Sequence, residues 1–78
     1  MRLYRAIAGR IRQLCNERDC TINHICDLAG IPSSSVKNLL YDKSTNPGIL
    51  MIYRLCDAFG ITLEEFFRSD LFGKVVED

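Results

Sequence analysis

The sequence has no tryptophan, only two prolines, a single histidine and, among its four cysteines, no pair in C-x-x-C spacing. Each shortage excludes something. The one local set of soft ligands, Cys15, Cys20, His24 and Cys26, lacks the paired spacing of a structural zinc site, so no metal or other cofactor is expected. With one histidine and no glycine-rich phosphate loop, an activated nucleophile has no partners, and neither an enzyme nor a thiol sensor is expected. No run approaches the roughly eighteen apolar residues of a membrane span. The opening MRLYRAIAGRIRQL scatters its arginines without the apolar block of a signal peptide, which places the expected location in the cytoplasm. Net charge is absent too, since ten Lys and Arg balance ten Asp and Glu.

What is present is the composition of an ordinary globular protein, with 47% apolar and 26% charged residues in a chain of 78. That length is near the lower limit for one unstapled core. Cys15, Cys26 and Cys56 fall within apolar helical stripes, where a reduced cysteine serves as a small hydrophobe. The charges divide unevenly: residues 1–45 carry seven Lys and Arg against four Asp and Glu, and residues 46–78 carry three against six. That asymmetry suggests one basic pole suited to an anionic partner and an opposite pole with another task.

Periodicity predicts helices and no strand, and no internal repeat stands out. Leu3, Ile7, Ile11, Leu14 and Cys15 share one face of a first helix over residues 3–18, with Arg5, Arg10 and Arg12 mostly off it. Thr21 is placed to cap the next helix, whose core face is Ile22, Ile25, Cys26 and Ala29 and whose end is Gly30. Pro32, with Ser33 or Ser34 as capping hydroxyl, starts a helix to Tyr41 that turns Val36, Leu39 and Leu40 inward and leaves Ser33, Ser34, Lys37, Asn38 and Tyr41 outside. DKSTNPG is a polar loop. Gly48 to Phe59 forms a fourth helix ending at Gly60, and Thr62 with Glu65 makes a capping box for a short fifth, TLEEFF. The tail after it, at residues 69–78, holds Leu71, Phe72, Val75 and Val76, which either dock on the domain or meet a partner.

Two short helices about Gly30, with small Cys26 before it and β-branched Val36 after it, have the turn length of a DNA-reading helix-turn-helix over residues 21–41. In order, GRIRQL, T-x-x-x-I-C-D-L-A-G-I-P-S-S-S-V, NPG and LCDAFGITLEEFF resemble the Cro and phage-repressor, or Xre-like, family of regulators. The resemblance implies an all-α, five-helix lambda-repressor-like DNA-binding domain over residues 1–68, in which helix 33–41 enters the major groove of double-stranded DNA. It also implies a sequence-specific transcriptional regulator, a repressor of the bacterial or phage kind. Carried onto this chain, the base-reading positions are Ser33, Ser34 and Asn38, with Lys37 adjacent. Asparagine can pair bidentately with adenine, and serine hydroxyls can bond to base edges. Thr21, Tyr41, Lys43, Ser44 and Asn46 are candidates for the DNA backbone, although the loop among them also suits a solvated connector.

Three departures from the family pattern bear on function. Ile22 stands where relatives often place a phosphate-contacting glutamine. Cys15 and Leu40 stand where many carry an arginine and a glutamate, which suggests an apolar contact in place of an ion pair. Leu50, Met51 and Tyr53 are apolar where relatives are polar. With Phe66, Phe67, Leu71 and Phe72 they suggest an exposed patch and hence a homodimer or partner interface. The alternative function is a protein-binding module of the same fold, an antitoxin or assembly adaptor gripping its partner through that apolar half. No small-molecule ligand is expected.

Overall fold

The computed structural model describes residues 1–77, and among them there are five α-helices, a terminal 3-10 turn and no strand. The helices are α1 (Leu3–Glu17), α2 (Ile22–Ala29), α3 (Ser33–Leu40), α4 (Ile49–Phe59) and α5 (Leu63–Phe67), followed by the 3-10 turn Asp70–Lys74. Their apolar stripes meet in one core. Ile7, Ile11 and Leu14 of α1 pack with Ile25 and Cys26 of α2, Val36 and Leu39 of α3, Ile52, Leu55 and Phe59 of α4, and Phe66 of α5. Leu3 departs from expectation. It lies at the first position of α1, past the end of the core, and remains 42% exposed.

Three helices end by one device. After α2, Gly30 is left-handed at φ 70°, its N–H donates to the Asp27 carbonyl at 3.2 Å, and the Ile31 N–H donates to the Cys26 carbonyl at 3.1 Å. After α4, Gly60 at φ 75° repeats this, with Gly60 N–H to Asp57 at 3.1 Å and Ile61 N–H to Cys56 at 3.0 Å. After α1 the left-handed residue is Asp19 at φ 52°, and the Cys20 N–H donates to the Cys15 carbonyl at 3.0 Å. These paired bonds satisfy carbonyls that a helix end otherwise leaves open. In each case the cysteine supplies the carbonyl that accepts the longer-range bond.

Helix starts differ more. The Thr21 hydroxyl accepts from the His24 N–H at 3.0 Å, and Thr62 with Glu65 forms the expected capping box, with bonds of 3.1 and 3.2 Å. For α3 the cap is Pro32 and no side chain bonds the first turn, so neither Ser33 nor Ser34 acts as the expected capping hydroxyl. The ring fixes φ at −64° and starts the helix one residue earlier than a serine cap would.

The two helix-turn-helix units, α2 with α3 and α4 with α5, correspond at an offset of thirty residues: Cys26 with Cys56, Asp27 with Asp57, Gly30 with Gly60, Ile31 with Ile61 and Val36 with Phe66. The likeness is confined to the turn and its flanks, too short to register as a sequence repeat.

The tail packs on the domain. Leu71 lies over Gly9, where an added Cβ would meet it at 3.3 Å, and Phe72 packs with Phe66 and Phe67 at ring separations of 6.0 and 4.9 Å. The Val76 N–H donates to the Met1 carbonyl at 2.9 Å, and the Glu77 carboxylate accepts from the Leu3 N–H and from Arg2 Nε, each at 2.9 Å. A side chain from the far end of the chain therefore caps α1, which lacks a local cap.

Candidate nucleic-acid interface

The outward face of α3 is set by the burial of Val36 and Leu39, which fixes the rotation of the helix and turns residues one and two positions away toward solvent. Ser34 and Asn38 are exposed, and Ser33 and Lys37 are half-buried beside them. Tyr41, which ends the helix, is 63% exposed. These five therefore share one polar face about two turns long.

The loop after α3 folds back on it. The Asn38 carbonyl accepts from the Lys43 N–H at 2.8 Å and from the Ser44 N–H at 3.1 Å, so Lys43 and Ser44 are held beside the last turn of α3. Asp42 makes the reversal possible by adopting φ 62°, and its carboxylate takes a 3.0 Å bond from Arg5, pinning the turn to α1. Thr21 is exposed, and with its oxygen already accepting from His24 its hydroxyl proton is free to donate outward. Asn46 is placed differently. It borders a hollow of roughly 430 Å³ shared with Leu3, Tyr4, Pro47, Ile49 and Phe67, toward α1 and α4. Ile22 packs partly buried against the core, so the position of the missing glutamine offers no polar group.

Much of the charge of the basic segment also takes part in structural contacts. Arg2 pairs with Glu77 and Arg5 with Asp42. Arg10 donates to the carbonyls of Phe66 and Glu65 at 2.7 and 2.8 Å, closing the end of α5. Arg18 donates to the Phe59 carbonyl at 3.2 Å and lies over that ring at 5.5 Å. Counting charges by segment could not reveal those partners. Among the described residues, Arg12, Lys37 and Lys43 take no part in the ion pairs. Arg12 was not singled out by sequence, yet it lines one shallow depression with Leu39 and Leu40 of α3. Helical spacing marked it only as off the core; its nearness to α3 is tertiary.

Leu40 packs half-buried against the core that contains Cys15. The depression beside Leu40 holds Arg5, Ala8, Gly9 and Arg12 of α1, whereas Cys15 lies near Cys20 and Cys26. The thiols are free, and burial pushes Cys15 up to about 12 and raises Cys26 and Cys56 as well, so these three stay protonated at neutral pH.

The apolar patch also needs redrawing. Phe66 is fully buried at 0% and belongs to the core, not to an interface. Met51 and Phe72 are partly buried against that core, and Leu71 is half-covered over Gly9. Leu50, Tyr53 and Phe67 are exposed, and Ile49 joins them at 65%. The reason is tertiary: the five-residue α5 must direct one aromatic inward, and Phe72 covers much of what remains.

This architecture is similar to that in the crystal structure of the prophage Lp1 protein 11, with a TM-score of 0.83 and 26% identity over 96% of this chain and 100% of that one. A family model for the Cro/C1-type helix-turn-helix DNA-binding domain matches residues 10–69, from the middle of α1 to the end of α5. The chain belongs to the Cro/C1-type helix-turn-helix family. No curated protein matches it. As a Cro/C1-type DNA-binding domain it has DNA as its partner; in helix-turn-helix domains generally the second helix lies in the major groove. No helix among the described residues is long and apolar enough to cross a membrane.

Proposed function

We propose that the protein is a sequence-specific transcriptional repressor that binds its operator as a homodimer. The observation that carries the DNA-reading part is the outward face of α3, where small and polar side chains stand clear of the core and none is engaged in an ion pair. Ser33, Ser34 and Asn38 meet base edges, with Asn38 pairing to an adenine and Lys37 reaching a guanine or a nearby phosphate. Thr21, Tyr41, Lys43, Ser44 and Asn46 contact the DNA backbone, and Arg12 joins them from α1. Phosphate contacts fix register, and α3 supplies the discrimination.

The dimer forms through the exposed side of α4, with Leu50 and Tyr53 central and Phe67, Met51, Leu71 and Phe72 at the margin. Their exposed apolar surface supports this, since scattered single residues would need no explanation but an adjoining group does. A two-fold dimer sets two copies of α3 about one DNA turn apart. Phage or prophage origin accords with the likeness to a prophage protein.

Selection of bound sequences from a random duplex pool tests the reading. A palindrome with half-sites roughly ten base pairs apart is expected, and Asn38→Ala should blur one position in each half. No enrichment at low salt would overturn it. The same apolar α4 surface favours a second reading, a protein-binding module such as an antitoxin or assembly adaptor. Its complex would resist salt, whereas DNA binding through several phosphates weakens steeply.

A further inference from the structure

The end of α1 brings two thiols together in a way that the other two helix ends do not. In this type of ending, a contact between the side chain after the left-handed residue and the one whose carbonyl its N–H bonds is a frequent companion. After α2 and α4 that pair is Cys26 with Ile31 and Cys56 with Ile61. After α1 it is Cys15 with Cys20, joined by the 3.0 Å backbone bond, and Cys20 is, after burial, among the groups that raise the Cys15 thiol. Cys15 is buried, whereas Cys20 is half-buried at the surface, so the two thiols differ in access. The backbone bond closes the turn on the pair, and a disulfide needs Cα atoms roughly 4.4–6.8 Å apart.

We propose that Cys15 and Cys20 form a reversible oxidation site, closing to a disulfide when a hydroperoxide reaches Cys20. The first step converts the Cys20 thiol to a sulfenic acid as the O–O bond breaks, releasing an alcohol, or water when the oxidant is hydrogen peroxide. In the second, Cys15 sulfur bonds to Cys20 sulfur, the S–O bond breaks, and the Cys15 proton leaves with the hydroxyl as water. Two electrons pass from the two thiols to the peroxide. Cys20, half-buried at the surface, is the thiol that an oxidant reaches first, and buried Cys15 is the partner that closes the bridge. Cys26 and Cys56 lie buried with isoleucine in the place of the second thiol, and they stay reduced.

The test is to treat the folded protein with hydrogen peroxide, unfold it, alkylate the free thiols and weigh it. Two of the four cysteines should resist alkylation, and dithiothreitol should restore all four. Trypsin cuts between the pair at Arg18, so a linked species of residues 13–18 with 19–37 should appear. It should survive Cys26→Ala and vanish in Cys20→Ser, whose half-exposed site tolerates the change. Retention of four alkylatable thiols would overturn the proposal. So would over-oxidation of Cys20 without a bridge, a bridge that persists in Cys20→Ser, or one that joins two chains.

Discussion

The turn after Cys26 and the turn after Cys56 have nearly the same backbone, with left-handed glycines at φ 70° and 75°, yet they serve different ends. At matched positions the first unit carries Ser34, Lys37 and Asn38, and the second carries Glu64, Phe67 and Arg68. Glu64 pairs with Arg68 along α5, and Phe67 packs on Phe66 and Phe72. The first unit thus presents a polar, cationic face suited to a polyanion. The second presents an acidic first turn with an aromatic cluster and has its far end closed by Arg10. Backbone geometry sets where a helix can be presented, and the residues on its outer face decide to what.

The comparison can be broken most forcefully at the inward position the units share. Val36 and Phe66 are both fully buried. Phe66→Ala should cost about 3–5 kcal/mol, and Val36→Ala about 2 kcal/mol because less volume is lost. Denaturant unfolding would measure both, and equal losses would contradict the central place given to Phe66. Next in size is the outward position. Asn38→Ala should weaken binding to the selected operator by about 1–3 kcal/mol, while the matching Arg68→Ala leaves it within about 0.5 kcal/mol. A titration of both variants that gave similar losses would remove α3 from its assigned role.

The shared glycines give a finer test. A Cβ at Gly30 or Gly60 meets nothing within 4 Å, so only the left-handed backbone opposes alanine, at about 1 kcal/mol for each. Asp19 is the natural counterpart without glycine, and Asp19→Gly should stabilise by about 0.5 kcal/mol. Unequal losses at Gly30 and Gly60 would mean that the two turns are alike only in outline.

The smallest effect concerns α1, whose cap is remote. Hydrogen bonding from the Leu3 N–H, helped by Arg2, holds the Glu77 carboxyl below its ordinary 4.5. A lowered folded value means that its stabilisation is complete above 4.5 and is lost as pH falls through that lower value. Hydrogen exchange at the Leu3 amide should therefore lose protection in acid before the core does, once intrinsic exchange is allowed for. Glu77→Gln should abolish that dependence.

Helix ends and the α3 face were legible because their signals are local: Gly30 and Gly60, the Thr62 to Glu65 box, and apolar spacing about Val36. What was not legible has the opposite cause. A helix of five residues offers no repeat from which to learn that Phe66 faces in and Phe67 out. Segment charge could not show that Arg10 and Arg18 close helix ends elsewhere in the chain. Glu77 carries no nearby signal at all, since its bond to α1 crosses 74 residues.

That long crossing also bears on the order in which the molecule assembles. Helix pairs such as α2 with α3 need only short loops closed, whereas the bond from Leu3 to Glu77 closes a loop of 74 residues for two exposed groups. Little is gained until α1 and the Phe72 region already stand in place, so the two ends join after the core has formed. In unfolding the order reverses: the ends part first, leaving the α2–α3 unit intact while the start of α1 frays.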